Sequence, residues 1–131
     1  MKYLSFICSF ALFLHNDIKP QSNKKEIQRN IDSQKEKFEK IAKSIWTWAE
    51  VGYQEEKSTT LLKKTLSDEG FDIRSGVAEI PTAFVAEYGS GFPVIGILAE
   101  FDALPGISQS VATKRVPIED NNAGHACGHH L

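Results

Sequence analysis

Apolar side chains recur at helical intervals from Ile27 to Ala49, at positions 27, 31, 38, 41, 42, 45, 48 and 49. Lys, Glu and Gln fill the opposite face, so the spacing predicts an amphipathic helix over 27–49 that ends near Gly52. Glu36 and Lys40, like Glu39 and Lys43, stand four residues apart in the order that supports a helix. Trp46 and Trp48 fall on different sides, which puts one in the core and leaves the other partly exposed. A second helix is expected over 54–69, with Leu61, Leu62 and Leu66 as its apolar stripe and Gly70 as its stop. Glu55 and Glu56 suit its start, where acidic side chains meet the positive end of the helix dipole.

The period then changes. Residues 71–77 and 82–88 alternate and read as strands, and Gly89-Ser90-Gly91 reads as a turn. Residues 93–99 (PVIGILA) are apolar almost throughout. A strand without alternation is ordinarily covered on both faces, so this run is expected to be a central strand of a layered sheet. Two helices followed by three strands give an α/β fold class. After Pro105 the pattern dissolves, and 106–123 is polar and irregular. Loops of that length are often functional, and α/β folds build their sites in loops beyond the carboxyl ends of strands.

The amino terminus departs from this scheme. Met1-Lys2 precedes an apolar run from Tyr3 to Leu14, too short to span a bilayer and suited to a secretory signal peptide over residues 1–20. No small-x-small cleavage pattern follows Leu14, and a buried terminal helix or strand is the alternative. With a signal peptide the protein is exported, periplasmic or extracellular; without one it is cytoplasmic. The composition, 41% apolar and 24% charged, is that of a soluble globular chain. A net charge of -2 gives no electrostatic case for nucleic acid or an anionic membrane as partner.

The chemistry crowds into Gly124 to Leu131 (GHACGHHL), which holds three of the four histidines and one of the two cysteines. Removal of a signal peptide would take Cys8 with it. Cys127 would then have no internal disulfide partner, leaving a reactive thiol, an intermolecular bridge or a metal ligand. In an extended segment His125, Cys127 and His129 project to one side and His130 to the other. Gly124 and Gly128 work against a regular helix and allow close backbone approach. Such a loop can aim Cys127 and His129 at one ion, with His125 and His130 as weaker candidates. Zinc needs three or four ligands, so others must come from elsewhere. A solvated His-rich tail with incidental metal affinity is the plainer alternative.

A second cluster, Glu100-Phe101-Asp102-Ala103-Leu104-Pro105, follows the most apolar run. A carboxylate there is placed to orient a histidine or to bind a metal, and Asp102 is the stronger candidate of the two acids. A charged strand end is the bland alternative. Asp120-Asn121-Asn122 read as turn formers. Ser108 and Ser110 have no visible histidine–acid partnership, which leaves a serine hydrolase without support.

Taken together, IWTWAEVGYQEEKSTTLL, GFDIRSGVAEIPTAFVAEYGSG, PVIGILAEFDALPGISQ and AGHACGHHL resemble the metal-dependent amidohydrolases of the aminoacylase and carboxypeptidase-like metallopeptidase clan. The likeness runs over about residues 37–131 and is strongest toward the aminobenzoyl-glutamate hydrolase branch. It implies a three-layer α/β/α catalytic domain, with residues 21–131 as its N-terminal part, and an inserted domain through which homodimers form. It implies hydrolysis of the amide of small N-acyl or N-aroyl amino acids at a paired divalent metal site. A mixed set of thiolate, imidazole and carboxylate donors suits zinc, manganese, nickel or cobalt alike. Cys127 and His129 match metal ligands of that family. Asp102 matches an orienting aspartate, and His125 a motif position that is not itself a ligand. His130 stands where relatives have Asp or Asn. The catalytic glutamate and further ligands that the resemblance calls for lie beyond Leu131, so this chain is expected to be inactive by itself. A stand-alone metal-binding module and a non-functional remnant are the competing readings.

Overall fold

The computed structural model describes residues 20–118 and 120–131. The expected signal peptide over 1–20 lies almost wholly outside the described residues. Two units divide at Gln34, and the second, Lys35–Leu131, carries every candidate site residue. No helix among the described residues is long and apolar enough to cross a membrane.

The long helix expected over 27–49 is two helices, α1 (Pro20–Ser33) and α2 (Lys35–Trp48). The reason is legible in the stripe itself, which has no apolar residue between Ile31 and Phe38. There the Gln34 N–H turns to the Ile31 carbonyl at 3.1 Å, a tighter bond than an α-helix makes. In α2, Glu36 pairs with Lys40 at 2.9 Å as expected, whereas Glu39 reaches back to Lys35 at 3.7 Å. Ile45 is the buried residue of α2, and both tryptophans are half-buried rather than divided between core and solvent. The helix stops at Trp48, short of Gly52, because Ala49 takes a left-handed conformation (φ 43°).

The third helix, α3 (Glu56–Asp68), matches expectation closely. Its stop is a Schellman motif: Gly70 at φ 88° donates to the Ser67 carbonyl, and Phe71 to that of Leu66. Its start is held from outside the helix. The Glu50 carboxylate accepts the Lys57 N–H at 3.0 Å and the Ser58 N–H and hydroxyl, each at 2.8 Å. Burial by itself would raise the Glu50 pKa, but these donors and the Lys57 charge outweigh it and hold the carboxyl below its usual value. The leucine stripe is only half-buried. The residues that α3 buries are polar, Ser58 and Thr59, and they are satisfied. Thr59 Oγ1 donates to the Thr82 carbonyl at 2.9 Å, while Thr82 Oγ1 donates to the buried Glu55 carboxylate at 2.6 Å.

The two alternating segments pair as an antiparallel hairpin, β1 (Asp72–Ser75) with β2 (Phe84–Glu87), joined through a 3-10 turn at Val77–Glu79. The expectation for 93–99 is not met. The run forms no ladder among the described residues, and Ile95 and Leu98 are 82% and 92% exposed. A strand covered on both faces needs a neighbour at each edge, and the ladders among the described residues, β1 with β2 and β3 (Leu104–Pro105) with β4 (Ala123–Gly124), do not take in this run. Helices and short sheets are therefore mixed, in keeping with an α/β class.

Three short segments meet beside the end of α2. Val51 bridges Ala103 in parallel fashion, and the Ala103 N–H donates to the Glu50 carbonyl at 2.8 Å. One residue later β3 begins, and β4 pairs with it antiparallel. Ala49, Ala103 and Ala123 form the buried cluster at this junction, with Val51 against it. Methyl side chains let three backbones approach closely, so the junction is set by small residues rather than by a large apolar core.

Candidate functional site

The β3–β4 pairing turns residues 106–122 into a closed loop whose root lies beside Asp102. This loop, irregular by sequence, is knitted by side-chain bonds. The Gln109 amide donates to the Lys114 carbonyl at 2.9 Å and accepts the Val116 N–H at 3.1 Å. Ser108 Oγ donates to the Ile118 carbonyl at 3.1 Å, so this serine serves the loop. Asn121 accepts the Ala123 N–H at 3.0 Å, the turn-forming role its type suggests. Gly124 is required where it stands. A Cβ there would lie 1.9 Å from the Ile107 carbonyl oxygen, a backbone atom that cannot move aside cheaply.

Beyond Gly124 the chain carries its histidines back across the junction. His129 Nδ1 lies 3.0 Å from Asp102 Oδ1, and His129 Nε2 lies 3.3 Å from Glu100 Oε2. Asp102, the acid expected to orient a histidine, meets one. Glu100, the weaker candidate, reaches the same ring. The signal that finds it is the two-residue spacing, which in extended chain puts both acids on one side. An ionised Asp102 can only accept, so the ring donates to it from Nδ1. Nε2 then faces the Glu100 carboxyl, an arrangement in which both groups could share a cation.

His125 and His130 go elsewhere. His125 Nε2 donates to the Ile45 carbonyl at 3.2 Å, across 80 residues of sequence. The His130 ring packs against it with centroids 4.8 Å apart. The Nδ1 atoms of both rings are buried without a hydrogen-bond partner among the described residues. Burial pushes the His125 pKa down, more than its bond to Ile45 raises it; burial and the neighbouring His125 push His130 down as well. Both rings are thereby biased to the neutral form. Cys127 is exposed and has no disulfide partner among the described residues.

These donors suit a divalent ion in kind: an imidazole oriented by a carboxylate, a second carboxylate beside it, and a thiol two residues away. The separation fits too, since two donors each about 2.0–2.1 Å from a tetrahedral ion stand about 3.3 Å apart. The set is not closed. Among the described residues no three His, Cys, Asp or Glu side chains gather as a metal-holding group.

No family model matches the chain. Sequence comparison nevertheless relates it to curated hydrolases. It is 37% identical over 102 residues to one subunit of the p-aminobenzoyl-glutamate hydrolase of Escherichia coli, a match covering 77% of this chain and 21% of that protein. It is 30% identical to hippurate hydrolase of Campylobacter jejuni, over 70% of this chain and 24% of that one. It is also 30% identical to human Xaa-Arg dipeptidase, over 77% of this chain and 22% of that one. The chain is a relative of these amidohydrolases and peptidases, and it spans between a fifth and a quarter of their length.

Proposed function

We propose that this chain contributes part of the active site of a metal-dependent amidohydrolase that cleaves the amide of an N-acyl or N-aroyl amino acid. The observation that carries the reading is His129, held between Asp102 and Glu100 by segments 27 residues apart. A carboxylate that takes one imidazole N–H fixes the tautomer and aims the other nitrogen at a cation. His129 and Cys127 would hold the ion, with Glu100 beside them and Asp102 behind the ring. A divalent ion bound there supplies polarisation of the amide carbonyl and activation of water. The substrate class follows the names of two relatives, hydrolases of p-aminobenzoyl-glutamate and of hippurate. On this reading residues 21–131 belong to a three-layer α/β/α domain whose other parts complete the ligand set and bring the general base, with homodimers formed through the inserted domain.

The test begins with titration of the 131-residue chain with zinc, manganese, nickel and cobalt. Saturable binding that is lost in His129→Ala is expected, and its absence overturns the metal site. The same protein, metal-loaded, is expected to leave p-aminobenzoyl-glutamate and hippurate intact. Measurable, chelator-sensitive hydrolysis would show that the chain needs no further residues.

A further inference from the structure

We infer that His125 is a positioning residue, a pin that fastens the terminal loop to the end of α2 so that His129 meets Asp102. The catalytic meaning of this role rests on the proposed metal site; the positional claim does not. Three observations carry it. First, His125 Nε2 reaches the Ile45 carbonyl at 3.2 Å, on the one buried residue of α2. A carbonyl can only accept, so Nε2 carries the hydrogen and the ring is committed as a donor. The same oxygen accepts the Ala49 N–H at 3.0 Å, so the pin lands on the last turn of the helix, where Ala49 enters the buried alanine cluster.

Second, among the described residues the loop has few other holds besides the contacts of His129 itself. Its root is the β3–β4 pair, which ends at Gly124. After that, Leu131 N–H closes on the Gly128 carbonyl at 3.0 Å, a bond within the loop that fixes its shape and not its place. Gly128 at φ 80° provides the turn. Third, that turn brings the His130 ring onto His125, 4.8 Å between centroids, so the pinned ring is covered by its own loop. His130 thus acts through His125, and His125 through Ile45, while His129 between them is left to face the two carboxylates.

The test compares two substitutions in the full chain. His125→Phe keeps ring volume and the stack on His130 but removes the donor; His125→Gln keeps a side-chain N–H. The metal-free readout is the His129 Nδ1–H resonance by NMR, shifted downfield and slow to exchange while Asp102 accepts it. The metal readout is the visible absorption of the protein titrated with Co2+. His125→Phe should lose the protected His129 signal and weaken Co2+ binding by about 10- to 100-fold, the range for loss of groups that orient ligands. His125→Gln should restore most of both. An unchanged His129 signal in His125→Phe overturns the inference, as does a His125→Gln protein no better than His125→Phe. Loss of the α3 amide spectrum in His125→Phe overturns it too, because His125 would then hold the whole fold rather than the loop. If the unsubstituted protein takes up no Co2+, the metal reading fails, and the His129 resonance alone decides the role of His125.

Discussion

Glu50 closes the amino-terminal end of α3 by accepting both the N–H and the hydroxyl of Ser58, each at 2.8 Å. Its own carbonyl meanwhile receives the Ala103 N–H, one residue from Asp102. One residue therefore couples the start of a helix to the segment that carries Asp102.

Replacing Glu50 with Ala should cost about 0.5–2 kcal/mol, the usual range for a lost helix cap. The pH dependence has a definite sign. The Glu50 pKa is lowered in the fold from 4.5. Its contribution is therefore complete above that value and fades as pH falls through the folded pKa. Urea unfolding of the two proteins should differ most near neutrality and converge in acid. A constant difference down to strongly acidic pH would contradict this.

Thr82→Val removes the donor to the buried Glu55 carboxylate. Loss of a hydrogen bond to a buried charge should cost about 1.5–3 kcal/mol, read as a lower urea midpoint with an unchanged slope.

Ala103 is 2% exposed, with Ala49 and Ala123 beside it. Ala103→Leu should destabilise by about 1–3 kcal/mol through overpacking. Because the added atoms would separate β3 from its neighbours, the protected His129 N–H signal should vanish with it. Thermal melts and NMR on one sample check both effects.

Gly124→Ala forces a methyl onto the Ile107 carbonyl. The β3–β4 pair should open, and metal uptake should fall while the far-UV circular dichroism of the helices stays. Equal metal affinity in the two proteins would show that the close approach is dispensable.

Asp102→Ala is expected to leave stability within about 1 kcal/mol, because the pair with His129 is only partly buried. Metal affinity should nevertheless drop about 10- to 100-fold. Calorimetric titration beside a denaturation curve separates the two.

Local elements are the readable part of this chain. The span of α3 agrees with its sequence pattern within two residues at its start and one at its end, because a leucine stripe and Gly70 act on their own neighbours. The hairpin strands agree within a few residues for the same reason. The break at Gln34 is visible in the stripe but outweighed there by the periodicity on either side. At the site, the Cys-His crowd and Asp102 stand out by residue type, and Glu100 by spacing alone. The destination of His125 carries no such signal, since its partner is a backbone carbonyl 80 residues away.

By itself the sequence determined which residues could do chemistry and which segments would be helical, since donor type and 3.6-residue periodicity are local properties. Tertiary structure decided the partnerships. Three alanines let α2, β3 and β4 converge, and that convergence hands Asp102 and Glu100 to His129 while sending His125 to Ile45. It also decided the state of 93–99. Apolar composition states what a strand can bury, but burial is a relation between segments, and among the described residues none covers this one.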